Sequence, residues 1–398
     1  MTARPMRIAM LTYSVKPRGG VVHALCVAQA LAARGRAVEL FAVGRPGERF
    51  FREPSVTAHV IEHLPPEAPF DARIDALIAA YRDGLRGALE GGAFDVVHAQ
   101  DCVSANAALA LRDERAIEAV VRTVHHVDDF RSPSLIACQR RSIEGPDEVL
   151  CVSAPWIARL RAEFGVEATV VGNGVDAARY RPPRDEDERD AARDAAGVSG
   201  RLVVLSVGGI EPRKGSLTLL EGFATLRERL PDRRPLLLVA GGATLFDYRD
   251  EIARFDSRRA ELGLVDGRDV RVLGPVADAE LEALYRAADV FALPSVKEGY
   301  GLVALEALAA GAPLVASDLP VFRSFLRDGH SALLARVGDA GALANALERV
   351  TGDAKLRERL RVGGHEVVAA HGWERVAAAH ERAYVHFLRR RSTLGSAA

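Results

Sequence analysis

The segment that decides the fold runs from Val290 to Gly311 and reads VFALPSVKEGYGLVALEALAAG. Its first four residues are apolar on both faces, as in a strand of a covered parallel sheet. Gly299 and Gly301 then allow a tight turn and a close backbone approach to a ligand. The apolar spacing after Gly301 predicts a helix, whose free N–H groups bind a phosphate or the polar face of a sugar.

Two carboxylates belong to this segment. Glu298 precedes the predicted helix and Glu306 lies inside it, so the two groups are expected at different depths of one site. A carboxylate can accept both hydroxyl hydrogens of a vicinal diol, such as that of a ribose or a hexose. The alternative, two surface glutamates on a helix, is disfavoured by the glycines around them.

Outside this segment, short apolar runs alternate with helical patterns in two series. The predicted strands of the first series are Ile8–Tyr13, Val38–Val43, Asp95–Ala99, Ala119–Val124, Glu148–Val152 and Thr169–Val171. Those of the second are Leu202–Val207, Leu236–Ala240, Val270–Leu273, Val290–Leu293 and Leu314–Ala316. This alternation predicts an α/β fold of two Rossmann-like, doubly wound domains facing a central cleft, where ligands bind beyond the carboxyl ends of the strands.

The expected domains are 1–176, 177–372 and a final helix in 373–398 that begins at Trp373 and docks onto another element. The segments 45–69 and 128–141 are interpreted as loops of the first domain that shape the acceptor site. Asn173-Gly-Val-Asp176 is suited to a turn between the domains and is interpreted as the hinge.

Composition excludes several classes of protein. The chain has 398 residues, 48% hydrophobic and 27% charged, with a formal net charge of -1, so nothing indicates a nucleic-acid partner. No segment reaches the ~18 apolar residues of a spanning helix, which leaves only peripheral membrane contact. The four cysteines form no CxxC pair, which indicates buried thiols and a cytoplasmic location. They are Cys26, Cys102, Cys138 and Cys151.

A second motif follows the predicted strand that ends at Val207, and it reads GGIEPRKGS. It matches neither G-x-x-x-x-G-K-[ST], because Lys214 precedes Gly215, nor G-x-G-x-x-G. What remains is a strand-to-helix loop with two adjacent cations, Arg213 and Lys214, which could neutralise a diphosphate leaving group. An ordinary basic loop is the alternative.

The first domain has weaker candidates. Gly19 and Gly20 precede a predicted helix and offer backbone N–H groups to an anion or sugar, while His23, within that helix, is either packed or functional. The other candidates, near strand ends, are His98, His125, His126 and Asp128. A lone histidine is usually structural, and metal binding by the last three is disfavoured because no further ligands stand at suitable spacing.

Together these motifs resemble glycosyltransferase family 4, the retaining enzymes of GT-B fold, over nearly the whole chain. The residues that carry the resemblance are Gly19-Gly20, Asp95–Asp101, Thr123-Val-His125, Asn173-Gly-Val-Asp176, Arg213-Lys214-Gly215, Pro294-Ser295 and the pair Glu298 and Glu306 with seven residues between them.

The resemblance implies a role for each site residue. The catalytic residues would be Glu298, at the donor sugar, His125, at the reaction centre, and Lys214, on the donor diphosphate. Glu306 would bind the nucleotide ribose, and Gly20 would reach the diphosphate from the first domain. The further donor-binding residues implied are Gly19, Arg213, Gly299, Tyr300, Gly301 and Leu302. The final helix would cross back onto the first domain, and no metal or other cofactor would be required.

Two positions depart from the family pattern. Gly209 stands where many members carry an arginine, so one diphosphate contact is missing, and Arg213 is the candidate substitute. Tyr300 stands where phenylalanine is common, so its hydroxyl is expected to face a different donor group. Both departures bear on donor identity more than on the reaction.

The sequence thus predicts a retaining glycosyltransferase of hexosyltransferase type (EC 2.4). Its donor would be a UDP-, GDP- or ADP-sugar, and its acceptor a small molecule, a glycan or a lipid. The alternatives are a GT-B phosphorylase or synthase using the same site and a catalytically silent nucleotide-sugar-binding protein. The base and sugar of the donor, the acceptor, the linkage formed and the oligomeric state stay open.

Overall fold

The computed structural model describes residues 4–90, 93–130, 132–241 and 249–395. The chain divides into two compact units. The first unit comprises Met1–Gly174 and Trp373–Ala398, and the second comprises Val175–Gly372. The first unit is therefore made of two separate stretches of chain, and the chain leaves it within the segment Asn173-Gly-Val-Asp176.

Within the described ranges, the first unit contains a parallel sheet of seven strands. They are β1 (Arg7–Thr12), β2 (Ala37–Gly44), β3 (Thr57–Glu62), β4 (Val96–Ala99), β5 (Val121–Val124), β6 (Glu148–Cys151) and β7 (Thr169–Val170). Their order in the sheet is β3-β2-β1-β4-β5-β6-β7. Met10 of β1 aligns with Leu40 of β2 on one side and with His98 of β4 on the other. The strand order reverses at β1, so the loops after β1 and β4 flank a switch point.

Five helices of the first unit follow or join these strands in the described chain before residue 174. They are α1 (Gly19–Ala33), α2 (Phe70–Leu89), α3 (Cys102–Asp113), α4 (Pro133–Glu144) and α5 (Ala154–Phe164). The prediction of two loops was therefore wrong in part. β3 lies within 45–69, and α4 begins within 128–141, where Ser132 caps it by accepting from the Leu135 N–H. Pro133, the first helical residue, lacks the N–H that would be unpaired there.

The second unit repeats the architecture with a parallel sheet that has six strands in the described part of the chain. They are β8 (Val203–Val207), β9 (Leu236–Ala240), β10 (Val270–Gly274), β11 (Val290–Leu293), β12 (Leu314–Ser317) and β13 (Leu333–Ala335). Their order is β10-β9-β8-β11-β12-β13, so β8 and β11 are neighbours at the switch point. β8 and β11 are buried almost throughout, because helices cover both faces of such a sheet.

The helices of the second unit lie between and after these strands. They are α6 (Glu186–Ala195), α7 (Ser216–Arg229), α8 (Arg249–Glu261), α9 (Asp278–Ala287), α10 (Leu302–Ala309), α11 (Pro320–Arg323), α12 (Ala340–Gly352) and α13 (Ala354–Ala369). The core of this unit is continuous from α7 to α12, and Phe223, Leu347 and Val290 are fully buried in it.

The final helix, α14 (Trp373–Gly395), belongs to the first unit and packs on α1. Val376, Tyr384 and Phe387 are buried in the same cluster as residues of α1 and β1, since helical spacing brings them to one face. Glu381 of α14 accepts from Arg34 at 2.7 Å. The crossing of the final helix back to the first domain is thus confirmed. Among the helices that the structure describes, none is long and apolar enough to span a bilayer.

Candidate active site

The two strongest sequence motifs lie beside each other in the second unit. One follows β8 and the other follows β11, and these strands are hydrogen-bonded neighbours. The backbone N–H of Val296 donates to the carbonyl oxygen of Arg213 at 2.8 Å, which joins the two loops directly. The switch point of this sheet therefore brings the predicted phosphate loop to the glutamate segment.

Gly215 allows these loops to approach. Its φ is +67°, in the left-handed region, and a Cβ placed on it would lie 2.1 Å from the carbonyl oxygen of Pro294. Only glycine satisfies both conditions, since any side chain would be strained and would collide with backbone. The glycine of the phosphate loop is needed for contact between the loops.

Glu298 lies at the centre of this contact, with its side chain 6% exposed. Its Oε1 accepts from Lys214 Nζ at 2.6 Å and from Ser295 Oγ at 2.9 Å. Its Oε2 lies 3.7 Å from a guanidinium nitrogen of Arg213. Burial raises the pKa of Glu298, but the two cations more than offset it, so this pKa lies below its usual value. The carboxylate is ionised at neutral pH.

A second buried carboxylate holds Arg213. Glu211 Oε2 lies 2.8 Å from Arg213 Nε, and the Glu211 side chain is only 4% exposed. Two carboxylates and two cations thus balance within one loop contact. Lys214 is a point charge with three protons, so it can hold Glu298 and a further acceptor at once. The prediction did not include Glu211, although it lies inside the quoted motif.

The helix N-terminus expected near Gly301 is present, since Gly301 is the residue before α10. Gly301 has a φ of +95°, and a Cβ on it would lie 2.6 Å from Phe322 Cε1. α10 begins at Leu302, and its N-cap residue, Gly301, has no side chain that could cap the first turn. The first N–H groups of α10 are suited to a phosphate or sugar oxygen.

Tyr300 packs within the second unit. Its ring is stacked on Phe325, with centroids 4.9 Å apart and 3° between planes, and the residue is 9% exposed. Burial raises the pKa of the Tyr300 phenol above its usual range. The expected contact of this hydroxyl with a donor stays a prediction.

Glu306 is buried on α10, at 8% exposure. Its Oε2 accepts from the hydroxyl of Tyr285, a residue of α9, at 2.9 Å. Sequence reasoning missed Tyr285, because no spacing relates a tyrosine of α9 to a glutamate of α10.

Next to the phosphate loop, a small pocket lies against β8 and is lined by Gly208, Gly209, Lys214, Ser216 and Phe255 among others.

In the first unit the structure brings Gly20 and His125 together. A Cβ on Gly20 would lie 3.4 Å from His125 Cδ2, and His125 Nε2 lies 2.9 Å from Gln100 Oε1. Burial, with smaller contributions from His23 and Arg122, lowers the pKa of His125 well below its usual value. His125 is therefore a neutral imidazole at pH 7, with Nε2–H as the donor to Gln100. Gly19 begins α1 beside this pair.

Two further histidines of the first unit, His23 and His98, pack in its interior. His23 and His98 are fully buried, and their rings lie 5.5 and 5.6 Å from that of His380 on α14. His98 Nδ1 is 2.6 Å from the Tyr384 hydroxyl. We name His23, His98, His125 and His380 the histidine cluster. Nε2 of His126, a metal-ligand candidate from the sequence, lies 3.0 Å from Asp128 Oδ2. In the described residues, no group of three or more ligating side chains is arranged for a metal.

These features define a class. Two doubly wound α/β units in one chain, with the last helix returning to the first, constitute the GT-B fold. Sucrose-phosphate synthase from Thermosynechococcus elongatus matches with a TM-score of 0.79 and 23% identity over 97% of this chain and 100% of that one. HepE from Anabaena, solved in complex with UDP and glucose, matches with a TM-score of 0.72 and 18% identity over 99% and 100%.

Sequence comparison gives the family. The model of group 1 glycosyl transferases matches residues 188–366, and that of glycosyltransferase family 4 matches residues 17–179. A D-inositol 3-phosphate glycosyltransferase of Stackebrandtia nassauensis is 30% identical over 98% of this chain and 93% of its own length. A phosphatidyl-myo-inositol mannosyltransferase of Mycobacterium leprae is 31% identical over 95% and 96%. The chain belongs to glycosyltransferase family 4 and is a glycosyltransferase.

Proposed function

We propose that the protein moves a sugar from a nucleoside diphosphate sugar to a hydroxyl acceptor, with retention of anomeric configuration and without a metal ion. The observation that carries the proposal is the contact of Lys214 with Glu298, 2.6 Å apart at the switch point of the second sheet. It joins a cation suited to a leaving diphosphate with a buried, ionised carboxylate suited to sugar hydroxyls.

The donor diphosphate is proposed to bind at Lys214, Arg213 and the N-terminus of α10. Negative charge accumulates on the diphosphate as the sugar leaves, and fixed positive charge stabilises that state. In the ligand-free protein, Glu298 and Glu211 hold these cations in place. A metal ion is then unnecessary, because the cations and helix N–H groups supply the positive potential.

The other proposed contacts of the donor involve its sugar, its ribose and residues of the first unit. Glu298 is proposed to hold the donor sugar, and Glu306 the ribose hydroxyls. Gly299 to Leu302 would present backbone N–H groups. In the first unit, Gly20 and His125 lie in contact and are proposed to act together, with Nδ1 of the neutral His125 imidazole accepting a hydrogen bond from a hydroxyl of the donor sugar.

The acceptor class that we propose is an inositol. Two relatives that match nearly the whole chain are named for an inositol phosphate and for phosphatidyl-myo-inositol. Their names support a hydroxyl of an inositol phosphate or of an inositol lipid as acceptor. We place the reaction in the cytoplasm, because all four cysteines are free thiols, as a reducing compartment maintains them.

The first experiment identifies the donor. Thermal unfolding is measured with UDP-, GDP- and ADP-sugars, and the matching donor raises the melting temperature by mass action. Transfer to myo-inositol, inositol 3-phosphate and phosphatidylinositol is then measured with and without EDTA, and product configuration is read by NMR. An inverted anomer would disprove retention, and loss of activity in EDTA would disprove metal independence.

The second experiment tests the residues. We expect Lys214→Ala and Glu298→Gln each to lower kcat/KM by roughly a hundredfold or more, because each removes charge-assisted contacts made at the reacting centre. Lys355→Ala and Glu358→Gln, on the exposed side of α13, make the same changes away from the site and serve as controls. Full activity in either site variant, with the fold intact, would refute the assignment.

A further inference from the structure

Tyr285 and Glu306 form a buried hydrogen bond in the second unit. Burial of the Glu306 carboxylate does not by itself require that it face this hydroxyl. The Tyr285 hydroxyl donates to Glu306 Oε2 at 2.9 Å, and the two residues are 1% and 8% exposed. The Glu306 side chain has three torsions, and burial alone is compatible with several rotamers. The hydrogen bond from the Tyr285 ring favours one of these rotamers.

Tyr285 is itself held by aromatic contacts. Its ring meets Tyr180 edge to face with centroids 5.7 Å apart, and it lies 5.5 Å from the ring of Phe291 on β11. Tyr180 is in turn covered by the guanidinium of Arg179, 5.7 Å from its centroid. The hydroxyl of Tyr285 therefore has little freedom to move, and neither does the oxygen to which it donates.

The protonation state of Tyr285 supports the phenol as the donor and the Glu306 carboxylate as the acceptor. Burial, with a smaller contribution from the charge of Glu306, raises the pKa of the Tyr285 phenol well above its usual value. The phenol therefore keeps its proton at neutral pH, and the nearer acceptor for that proton is Glu306 at 2.9 Å, with the Val303 carbonyl oxygen at 3.4 Å. An ionised carboxylate has acceptor sites for more than one donor, so Glu306 can bind Tyr285 and a diol together.

We propose that Tyr285 is a positioning residue, which fixes the Glu306 carboxylate for a ribose diol and thereby sets a preference for ribonucleotides over dideoxyribonucleotides. The inference rests on the proposed function, in which Glu306 binds the donor ribose. Because the carboxylate is ordered before the ligand arrives, less conformational entropy is lost on binding, and the gain appears only when the hydroxyls are present.

The test measures how strongly the protein prefers a ribonucleotide over its 2′,3′-dideoxy form, rather than the affinity for either one. Binding of UDP, GDP and ADP, and of their 2′,3′-dideoxy forms, is measured by calorimetry, and the ratio of the two Kd values is taken for the base that binds. We expect Tyr285→Phe to lower that ratio by about fivefold to tenfold, because a carboxylate that is no longer held must lose its rotamer freedom on binding. The Kd of the dideoxy form should change by less than about twofold, since it makes no diol contact.

Two controls separate positioning from support of the fold. Tyr384→Phe makes the same chemical change at a fully buried tyrosine of the first unit and should leave the ratio unchanged. In a Glu306→Ala background, which removes the acceptor, Tyr285→Phe should not change the ratio further, because Tyr285 acts through Glu306. If Tyr285→Phe folds poorly, Tyr180→Leu loosens the support of the ring while keeping the hydroxyl, and it should lower the ratio at least twofold.

The outcomes are distinguishable. A Tyr285→Phe variant that weakens both forms equally, or a ratio that Tyr180→Leu leaves unchanged, overturns the positioning role while the donor site stands. A wild-type protein that binds none of the three nucleoside diphosphates overturns the proposed donor site, and this inference with it. Loss of discrimination in Tyr285→Phe but not in Tyr384→Phe supports the inference.

Discussion

At Gly215, the absence of a side chain lets the loops after β8 and β11 meet. The same contact brings Lys214 to Glu298. Gly215, which the backbone contact requires, and Lys214, which supplies the charge, are therefore adjacent in the sequence. The charges in this contact come from both loops, which is why neither motif alone describes the site.

Gly215→Ala should therefore reduce both stability and activity. The left-handed φ costs an alanine about 1 kcal/mol, and the collision with the Pro294 carbonyl adds roughly 2 kcal/mol or more, because backbone cannot rotate away. We expect a fall in the free energy of unfolding by denaturant titration, and at least a tenfold fall in kcat/KM, since Lys214 and Glu298 are displaced.

Gly200→Ala is the matched control. Gly200 has a φ of +69°, but a Cβ placed on it would meet no neighbouring side chain or backbone of the described residues within 4 Å. It therefore shares the conformational strain without the collision. It should lose about 1 kcal/mol of stability and keep its activity. Equal effects of the two substitutions would show that strain alone, rather than the loop contact, explains Gly215.

The sequence predicted the position of these site residues but not their partners. Lys214 and Glu298 were assigned separately, to the diphosphate and to the sugar, and their direct contact depends on β8 and β11 being neighbours. Glu211 and Tyr285 were missed because their roles follow from three-dimensional contacts. Gly209 is the opposite case, because the family pattern predicts an arginine at this position and the sequence has glycine there.

At the scale of elements, strands buried on both faces were easy to predict, and two edge strands, β3 and β13, were missed. β3 lies at the edge of its sheet beside β2 and alternates between exposed and half-buried residues. β13 is an edge strand of three residues. Continuous apolar runs such as β9 and β11 gave a strong signal, whereas β3 mixes polar with apolar residues and β13 is too short to show a pattern.

The histidine cluster makes the docking of α14 sensitive to acid. Burial lowers the pKa of His380 to about 3 and that of His23 to about 4, from an ordinary 6.5. Between pH 6.5 and 4 the unfolded chain thus binds more protons than the folded one, and the free energy of unfolding falls as the pH falls. Equilibrium unfolding at a series of pH values measures this slope.

Replacing one member of the cluster should flatten the slope. We expect His380→Met to lose less stability than the wild type between pH 6.5 and 5, by roughly 1–2 kcal/mol, because one proton-linked group is gone. Val385→Gln, at an exposed position of the same helix, changes no titratable group and should keep the wild-type slope. Parallel slopes for His380→Met and the wild type would contradict the assignment of the effect to this cluster.

At the scale of the whole molecule, the two units have separate cores. Tyr384 is fully buried in the first and Phe223 in the second. Both tryptophans of the chain, Trp156 and Trp373, belong to the first unit, so intrinsic fluorescence reports on that unit while circular dichroism reports on both.

Substitutions in the two cores should separate the unfolding transition of the first unit from that of the second. Tyr384→Ala should lower the free energy of the unfolding transition seen by fluorescence, and Phe223→Ala that of the transition seen only by circular dichroism, each by roughly 3–5 kcal/mol, the contribution of a large buried ring. Tyr384→Phe, which keeps the ring, should shift the first midpoint far less. Identical midpoints by both probes in every variant would show that the units unfold as one.

The division of the first unit into two stretches of chain also bears on the order in which the protein is made. The ribosome completes Val175–Gly372 before it reaches Trp373, so the second unit has its whole sequence first. The face of α1 that receives α14 stays uncovered until α14 has emerged. We expect the first unit to mature after the second during synthesis, although translation reaches the first stretch of the first unit earlier.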